Sequence, residues 1–440
     1  MKDLREFLQS IEAEGELVRV RREVDPRFEA SAILKKLDSV EGAAVIFEKV
    51  KGYRVPLLGN LCGKRKRLAK ALKVNEREII FKYMEALEKP EECKLVENGP
   101  VKEAVIRKDV DLLKLLPILT YHEKDAGPYI TAGAVTYKDP ESGVRGASIH
   151  RLQVKGKSRL GIFIATRPLF DYYSKAEASK KPFQVAIPIG LEPSTLLATC
   201  ADVPVGFDKF KLVAPLRGGE LELVRCETVD LEVPAHAEIA IEGEVQPSVY
   251  EDEGPFGEDT GYYLKGRTPV IKVNSVTHRS NPIYQAILPQ STETFNLIGI
   301  PLESAIYRAV KNVVPTVKGV YMFGFGHVAV SIRKMMEGDS KSALIATLAN
   351  PIAKHAVVVD EDVDIFSLRE IDWAIATRVQ GDRNILVLRK MQGSKIDPST
   401  EDGMVDKIGV DATKPLKAPP ERFERTRIPG EEKVKLEEYL

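Results

Sequence analysis

The chain has 440 residues, 43% of them hydrophobic, which is too long for one ordinary core and predicts two or three domains. Its 65 basic residues balance 65 acidic ones, so no global field is available to recruit nucleic acid or an anionic membrane surface. The cysteines Cys62, Cys93, Cys200 and Cys226 lack the paired spacing of a zinc site or disulfide framework, and no apolar run approaches a membrane span, so a reducing, cytoplasmic setting is expected.

Met1 to Glu6 opens an amphipathic helix instead of a signal sequence, with Leu4, Phe7, Leu8 and Ile11 on one face over residues 3–14. Leu17 to Val24 reads as strand, Ser31 to Leu37 as helix, Ala44 to Leu61 as strands around a Lys51-Gly52 turn, and Lys64 to Leu87 as basic helices. Residues 1–105 are therefore expected to form a small α/β lobe. Over 106–291 the character shifts to short Val-, Ile- and Thr-rich runs broken by Gly and Pro, such as Ala132 to Tyr137, Leu160 to Ile164 and Val270 to Val276, the pattern of a barrel or split barrel. Residues 292–314 have helical spacing and would link two lobes. From 315 to 440 strands (Gly319 to Ile332, Ala356 to Asp360, Ile385 to Leu388) alternate with helices (Lys341 to Leu348, Leu368 to Thr377), which implies a second α/β layer. Charged residues make up 30% of the chain and glutamine occurs eight times, a bias of proteins from hot environments.

The run Glu253-Gly254-Pro255-Phe256-Gly257-Glu258, followed by Asp259, carries the most chemistry. Its Gly-Pro pair and second glycine exclude regular helix and predict a tight loop that holds two carboxylates in different surroundings. Such a pair suits acid-base work, with one acid ionised against a cation and the other desolvated and protonated. An acidic surface turn is the other reading of the same residues.

Seven passages, in order, resemble the UbiD family of decarboxylases: Gly127 to Thr131, Ser148 to Arg151, Leu223 to Cys226, Val233 to Ile239, Glu253 to Glu258, Asp372 to Arg378 and Lys407 to Ala412. The resemblance implies an α+β fold with an N-terminal α/β lobe, a central flavin-reductase-like split β-barrel and a C-terminal α/β lobe that drives oligomerisation, most simply as a homo-oligomer built from dimers. It implies prenylated FMN as cofactor, supplied by a separate flavin prenyltransferase, and non-oxidative decarboxylation of an α,β-unsaturated acid through a covalent adduct with that cofactor. Arg151, Glu253 and Glu258 match the family's catalytic trio. Arg151 would pair with Glu253 and orient the substrate carboxylate, and Glu258 would deliver the proton that replaces carbon dioxide. Without the resemblance, Arg151 reads as a strand-edge charge in a basic run.

Cofactor contacts are implied for Ser148, Ile149, His150, Arg151, Ala165, Thr166, Thr199, Cys200 and Lys209, and for Lys407 at the cofactor phosphate, although a loop lysine is also simply solvated. Family members commonly hold manganese, and potassium is possible beside it, through an Asn, a His and a Glu. Here the Asn position falls on Gly146, no histidine occurs between His150 and His236, and the Glu position falls on Lys209. A lost or altered metal site is expected, with the Lys209 ammonium replacing part of the metal's charge; a one-residue slip would instead leave Asp208 as a ligand.

The resemblance further implies a small carboxylic acid substrate. The archaeal branch acting on trans-anhydromevalonate 5-phosphate is the first expectation, with Arg145, Arg159 or Arg167 to hold the substrate phosphate. An aromatic or polyprenyl hydroxybenzoate is the alternative, and a non-catalytic flavin-binding protein is the reading from another class.

Overall fold

Asp3 starts the first helix by accepting the Glu6 N–H at 3.0 Å, and Leu4, Phe7, Leu8 and Ile11 then turn one face of Leu4–Glu12 into the core. A computed structural model describes residues 2–164, 167–435 and 439 of the chain, and it is a mixed α/β structure built on four sheets.

The N-terminal sheet joins Leu17–Val20, Ala44–Phe47 and Leu57–Gly59. Its fourth strand, Tyr284–Gln285, returns from far along the chain to run parallel with Leu57–Gly59. A three-stranded sheet, Glu232–Pro234, Glu222–Arg225 and Lys94–Val96, lies beside it in sequence. The largest sheet has nine strands. Its order runs Tyr129–Ile130, Leu152–Gly156, Arg159–Ile162, Tyr263–His278, Ile239–Gly257, Phe183–Ile189, Ala134–Lys138, Arg145–Ile149, with Ala104–Ile106 pairing the end of Tyr263–His278.

That order has a geometric consequence. Arg145–Ile149 is one edge of the sheet and Leu152–Gly156 is next to the opposite edge, yet only His150 and Arg151 separate them. Three residue steps reach about 11 Å at full extension, so the sheet must curl until its two ends nearly meet. His150 and Arg151 therefore sit in the seam of a curled half-barrel. The stretch read as sheet-dominated also carries the helices Leu169–Ala178, Pro193–Thr199 and Val213–Arg217.

Helix Thr292–Val313 runs as expected, passing through Pro301, and leads to a five-stranded sheet ordered Val317–Gly324, His327–Ile332, His355–Asp360, Met404–Ala412, Ile385–Gln392. The three inner strands are parallel, and His327–Ile332 and His355–Asp360 are rich in apolar residues because helices Asp339–Leu348 and Leu368–Arg378 cover opposite faces. Arg65 and Glu303, both buried, tie the N-terminal region to the long helix by two 3.0 Å bonds. Among the described residues no helix is long and apolar enough to cross a membrane.

One local expectation is corrected. Glu253 to Gly257 are not a free loop but the end of the 19-residue strand Ile239–Gly257, paired with Tyr263–His278 through Glu253↔Gly266 and Gly257↔Tyr263. A register irregularity between Glu253 and Phe256 accommodates Gly254 and Pro255, since a bulge tolerates a residue without an N–H. Gly254 has φ +86°, and a Cβ there would lie 2.5 Å from the Leu264 carbonyl oxygen, so only glycine fits.

Candidate active site

The strand end places Glu253 inside the curl and the following turn places Glu258 beside it. Glu258 donates its N–H to Tyr262 O and accepts from Gly261 N, both at 2.9 Å, which closes the turn. Arg151 meets both acids from the seam. Its Nε donates to Glu253 Oε1 at 3.0 Å and its Nη2 to Glu253 Oε2 at 2.6 Å, a bidentate fork. The remaining amine, Nη1, contacts Glu258 Oε1. Arg151 and Glu253 are buried, at 9% and 1% exposure, so the pairing is sheltered from water.

Aromatic rings close over the guanidinium, Phe163 at 4.1 Å and Phe256 at 5.1 Å from ring centroid to Cζ. Tyr129 packs at a tilt against Phe256 with ring centroids 4.3 Å apart, and burial together with the neighbouring Glu253 raises its phenol well above the ordinary range. The acid turn is held from outside as well. Asp259 accepts the Gln290 N–H at 2.9 Å, Thr260 donates to Ile396 O at 3.1 Å, and Gly257 donates to Asp125 at 3.0 Å. Burial raises the Asp259 carboxyl, against the pull of Gln290 N–H and of Arg151. Phe163, Tyr129 and Asp259 escaped the sequence reading. Asp259 had a signal, its place next to Glu258, whereas the two rings reach Arg151 through the pairing of Leu152–Gly156 with Tyr129–Ile130 and with Arg159–Ile162, which no local pattern announces.

A second group lies on the other side of Arg151. Ser148 bonds His150, and Lys209 lies near the His150 ring, Thr199 and Cys200. Burial, then the Lys209 charge, pushes His150 down to about 4, so the ring is neutral at pH 7. Phe163 O, 3.1 Å from Nδ1, can only accept, which assigns the proton to Nδ1 and leaves Nε2 to accept the Ser148 hydroxyl at 2.8 Å. Tyr137 OH then donates to Ser148 Oγ at 3.3 Å. Lys209 donates to Thr199 O at 3.1 Å, and burial pushes its ammonium down to about 8 against the opposing Cys200 and Asp202. Cys200 in turn is pushed up to about 11 by burial. Ile149 is partly buried against the adjoining core.

Other expected residues are placed elsewhere. Lys407 is fully buried in the C-terminal sheet, donating to Leu348 O at 2.9 Å and Asn350 O at 2.6 Å just past the end of helix Asp339–Leu348. The structure does not bring it to this group, because its ammonium caps that helix. Arg145 pairs with Asp208 at 2.5 Å and Glu232 at 2.9 Å, Arg159 points outward to Glu251, and Arg167 is exposed beside Asp171. Asp208 is held by Arg145 and also accepts the Phe210 N–H at 3.0 Å. Among the described residues no three His, Cys, Asp or Glu side chains gather as a metal site. Ala165 and Thr166 lie outside the described residues.

Three family models match consecutive parts of the chain: the 3-octaprenyl-4-hydroxybenzoate carboxy-lyase N-terminal domain over residues 8–87, the Rift-related domain over 94–292 and the C-terminal domain over 295–412. The chain is 43% identical over 429 residues to the anhydromevalonate phosphate decarboxylase of Methanothermobacter thermautotrophicus, covering 96% of this chain and 99% of that protein. It also resembles the UbiD-class enzyme HmfF from Pelotomaculum thermopropionicum in complex with FMN, at 46% identity, TM-score 0.97 and complete coverage of both chains. An evolved dimeric form of HmfF, in complex with prFMN, is similar at 44% identity and TM-score 0.93, again with complete coverage of both.

Proposed function

Because the chain belongs to the UbiD family and is a carboxy-lyase, we propose that it decarboxylates trans-anhydromevalonate 5-phosphate to isopentenyl phosphate with the help of prenylated FMN. The observation that carries the chemistry is the Arg151 guanidinium held between Glu253 and Glu258 under Phe163 and Phe256. The substrate follows from full-length similarity to decarboxylases of that name.

Glu253 locks Arg151 in one orientation, and the guanidinium holds the substrate carboxylate through the amine that now faces Glu258. One cation between two carboxylates leaves the site one negative charge in excess, and a proton on Glu258 balances it. Glu258 then hands that proton to the carbon that has lost carbon dioxide. The aromatic rings exclude water, which strengthens these interactions. Ser148, Ile149, the neutral His150, Thr199 and Cys200 would line the flavin. Lys209, a buried cation facing no carboxylate at salt-bridge distance among the described residues, gives this donor set a place for an anionic group and so fits a flavin phosphate. When bound, the prenylated flavin would supply the sink for the electron pair that departing carbon dioxide leaves on the substrate carbon.

On this reading the curled sheet is a flavin-reductase-like split barrel spanning 106–291, between an N-terminal lobe over 1–105 and a C-terminal lobe over 315–440 that serves oligomerisation, with 292–314 linking them. The protein works in the cytoplasm as a homo-oligomer and receives its cofactor from a flavin prenyltransferase. The rings of Phe163, Phe256 and Tyr129 favour a second substrate class, an aromatic acid stacked on flat walls.

The test is incubation of protein co-expressed with a flavin prenyltransferase with trans-anhydromevalonate 5-phosphate. Release of isopentenyl phosphate and carbon dioxide is expected. No turnover with cofactor bound, together with turnover of a hydroxybenzoate, would replace the first substrate by the second.

A further inference from the structure

We propose that Lys209 is the cation that receives the phosphate monoester of the bound flavin, so that this chain needs no divalent metal at that position. The inference rests on the flavin reading above and concerns how this chain departs from a metal-assisted site.

A buried ammonium needs a counter-charge or a full set of acceptors. Lys209 is 4% exposed and has neither: Nζ donates to Thr199 O at 3.1 Å, and among the described residues no carboxylate lies within salt-bridge distance. The adjacent acid cannot serve, because Asp208 is clamped by Arg145 and caps the Phe210 N–H. His150 brings no charge, its Nδ1–H being committed to Phe163 O. What remains is a compact cation with unused donors, beside the Ser148 and His150 segment at the seam. That is the chemistry that recognises a phosphate dianion.

The same residues argue against a metal cage. At Gly146 a Cβ would stand 2.4 Å from the Tyr137 ring, so Tyr137 occupies the room that a ligating side chain would need. Tyr137 OH is in turn engaged with Ser148 Oγ. Lys209 presents donors only, and Asp208 is already paired. Tyr137, Gly146 and Lys209 thus form one alternative solution in which the protein's own charge stands where an ion would be held.

The experiment is a titration of EDTA-dialysed protein with FMN and with riboflavin, which lacks the phosphate, each repeated after adding Mn²⁺. Wild type is expected to bind FMN at least about ten-fold more tightly than riboflavin, the scale of a charged hydrogen bond, with no change on adding Mn²⁺. Lys209→Met should lose that preference while keeping the riboflavin affinity, which also shows that the variant is folded, and Lys209→Arg should regain part of it. An FMN affinity in wild type that needs Mn²⁺, or an FMN-to-riboflavin ratio unaltered in Lys209→Met, overturns the lysine assignment. Failure of wild type to bind either flavin, with or without Mn²⁺, removes the flavin reading and this proposal with it.

Discussion

Two buried cations flank the seam of the curled sheet, and their surroundings are opposite. Arg151 is matched by two carboxylates, Glu253 through a bidentate fork and Glu258 through its remaining amine. Lys209 is matched by a backbone carbonyl and, among the described residues, by no carboxylate at salt-bridge distance. The first cation finds its counter-charge within the protein. The second lacks such a pairing among the described residues, and Cys200 and Asp202 only partly offset the cost of its burial. The two centres, joined through adjacent residues His150 and Arg151, thus differ in how their charge is met.

Breaking the balanced centre should have the largest effect. Arg151→Met leaves Glu253 buried without its partner, which is expected to cost about 3–5 kcal/mol in denaturant unfolding and to abolish turnover. A loss within 1 kcal/mol would mean that the fork contributes little to the fold. Glu258→Gln keeps the shape but removes the proton, so turnover should fall by about 10²–10⁴-fold with unfolding nearly unchanged. Undiminished turnover in that variant would move the proton donor elsewhere, with Asp259 next to be tested.

A third buried cation sharpens the contrast from the other side. Lys407 also donates to carbonyls alone, but to two of them, Leu348 O and Asn350 O. Lys407→Met should lower stability by about 1–2 kcal/mol and leave FMN affinity as it was. A weakened FMN affinity there would return Lys407 to the cofactor site.

The smallest effect is on pH dependence. Burial lowers Lys209 from its ordinary 10.5 to about 8, so between those values the unfolded chain binds more protons than the folded one. Stability of the flavin-free protein should therefore rise as pH increases from about 8 towards 10.5, and below 8 the full penalty of the buried charge is present. Lys407 is also lowered to about 8 and adds a slope of the same sign, so the comparison is between wild type and Lys209→Met, which should be flatter. Equal slopes would indicate that Lys209 is not desolvated in solution.

Much of the framework was legible. The linking helix appears over Thr292–Val313, where helical spacing with no internal glycine beyond Gly299 had placed it. The alternating elements after residue 315 became a five-stranded sheet with helices on both faces because their apolar periods differ clearly. The acid run was identified as the chemical centre but misread in form. Gly-Pro signals a turn when only local preferences are weighed, whereas the pairing of the 19-residue strand with Tyr263–His278 absorbed it as a bulge. The partners of the arginines named for a substrate phosphate were illegible for a similar reason, since Asp208, Glu232 and Glu251 that pair with Arg145 and Arg159 are distant in sequence.

By itself, then, the sequence determined which side chains are available: the Arg151, Glu253 and Glu258 chemistry, a glycine at 146 and a lysine at 209, each readable because residue type sets charge and donor capacity. Only the tertiary structure decided which of these charges are neutralised. That depends on the sheet curling until Arg145–Ile149 and Leu152–Gly156 nearly meet, which brings Arg151 to two acids and Lys209 to none, because pairing between residues a hundred positions apart is a property of the closed fold and not of any local pattern.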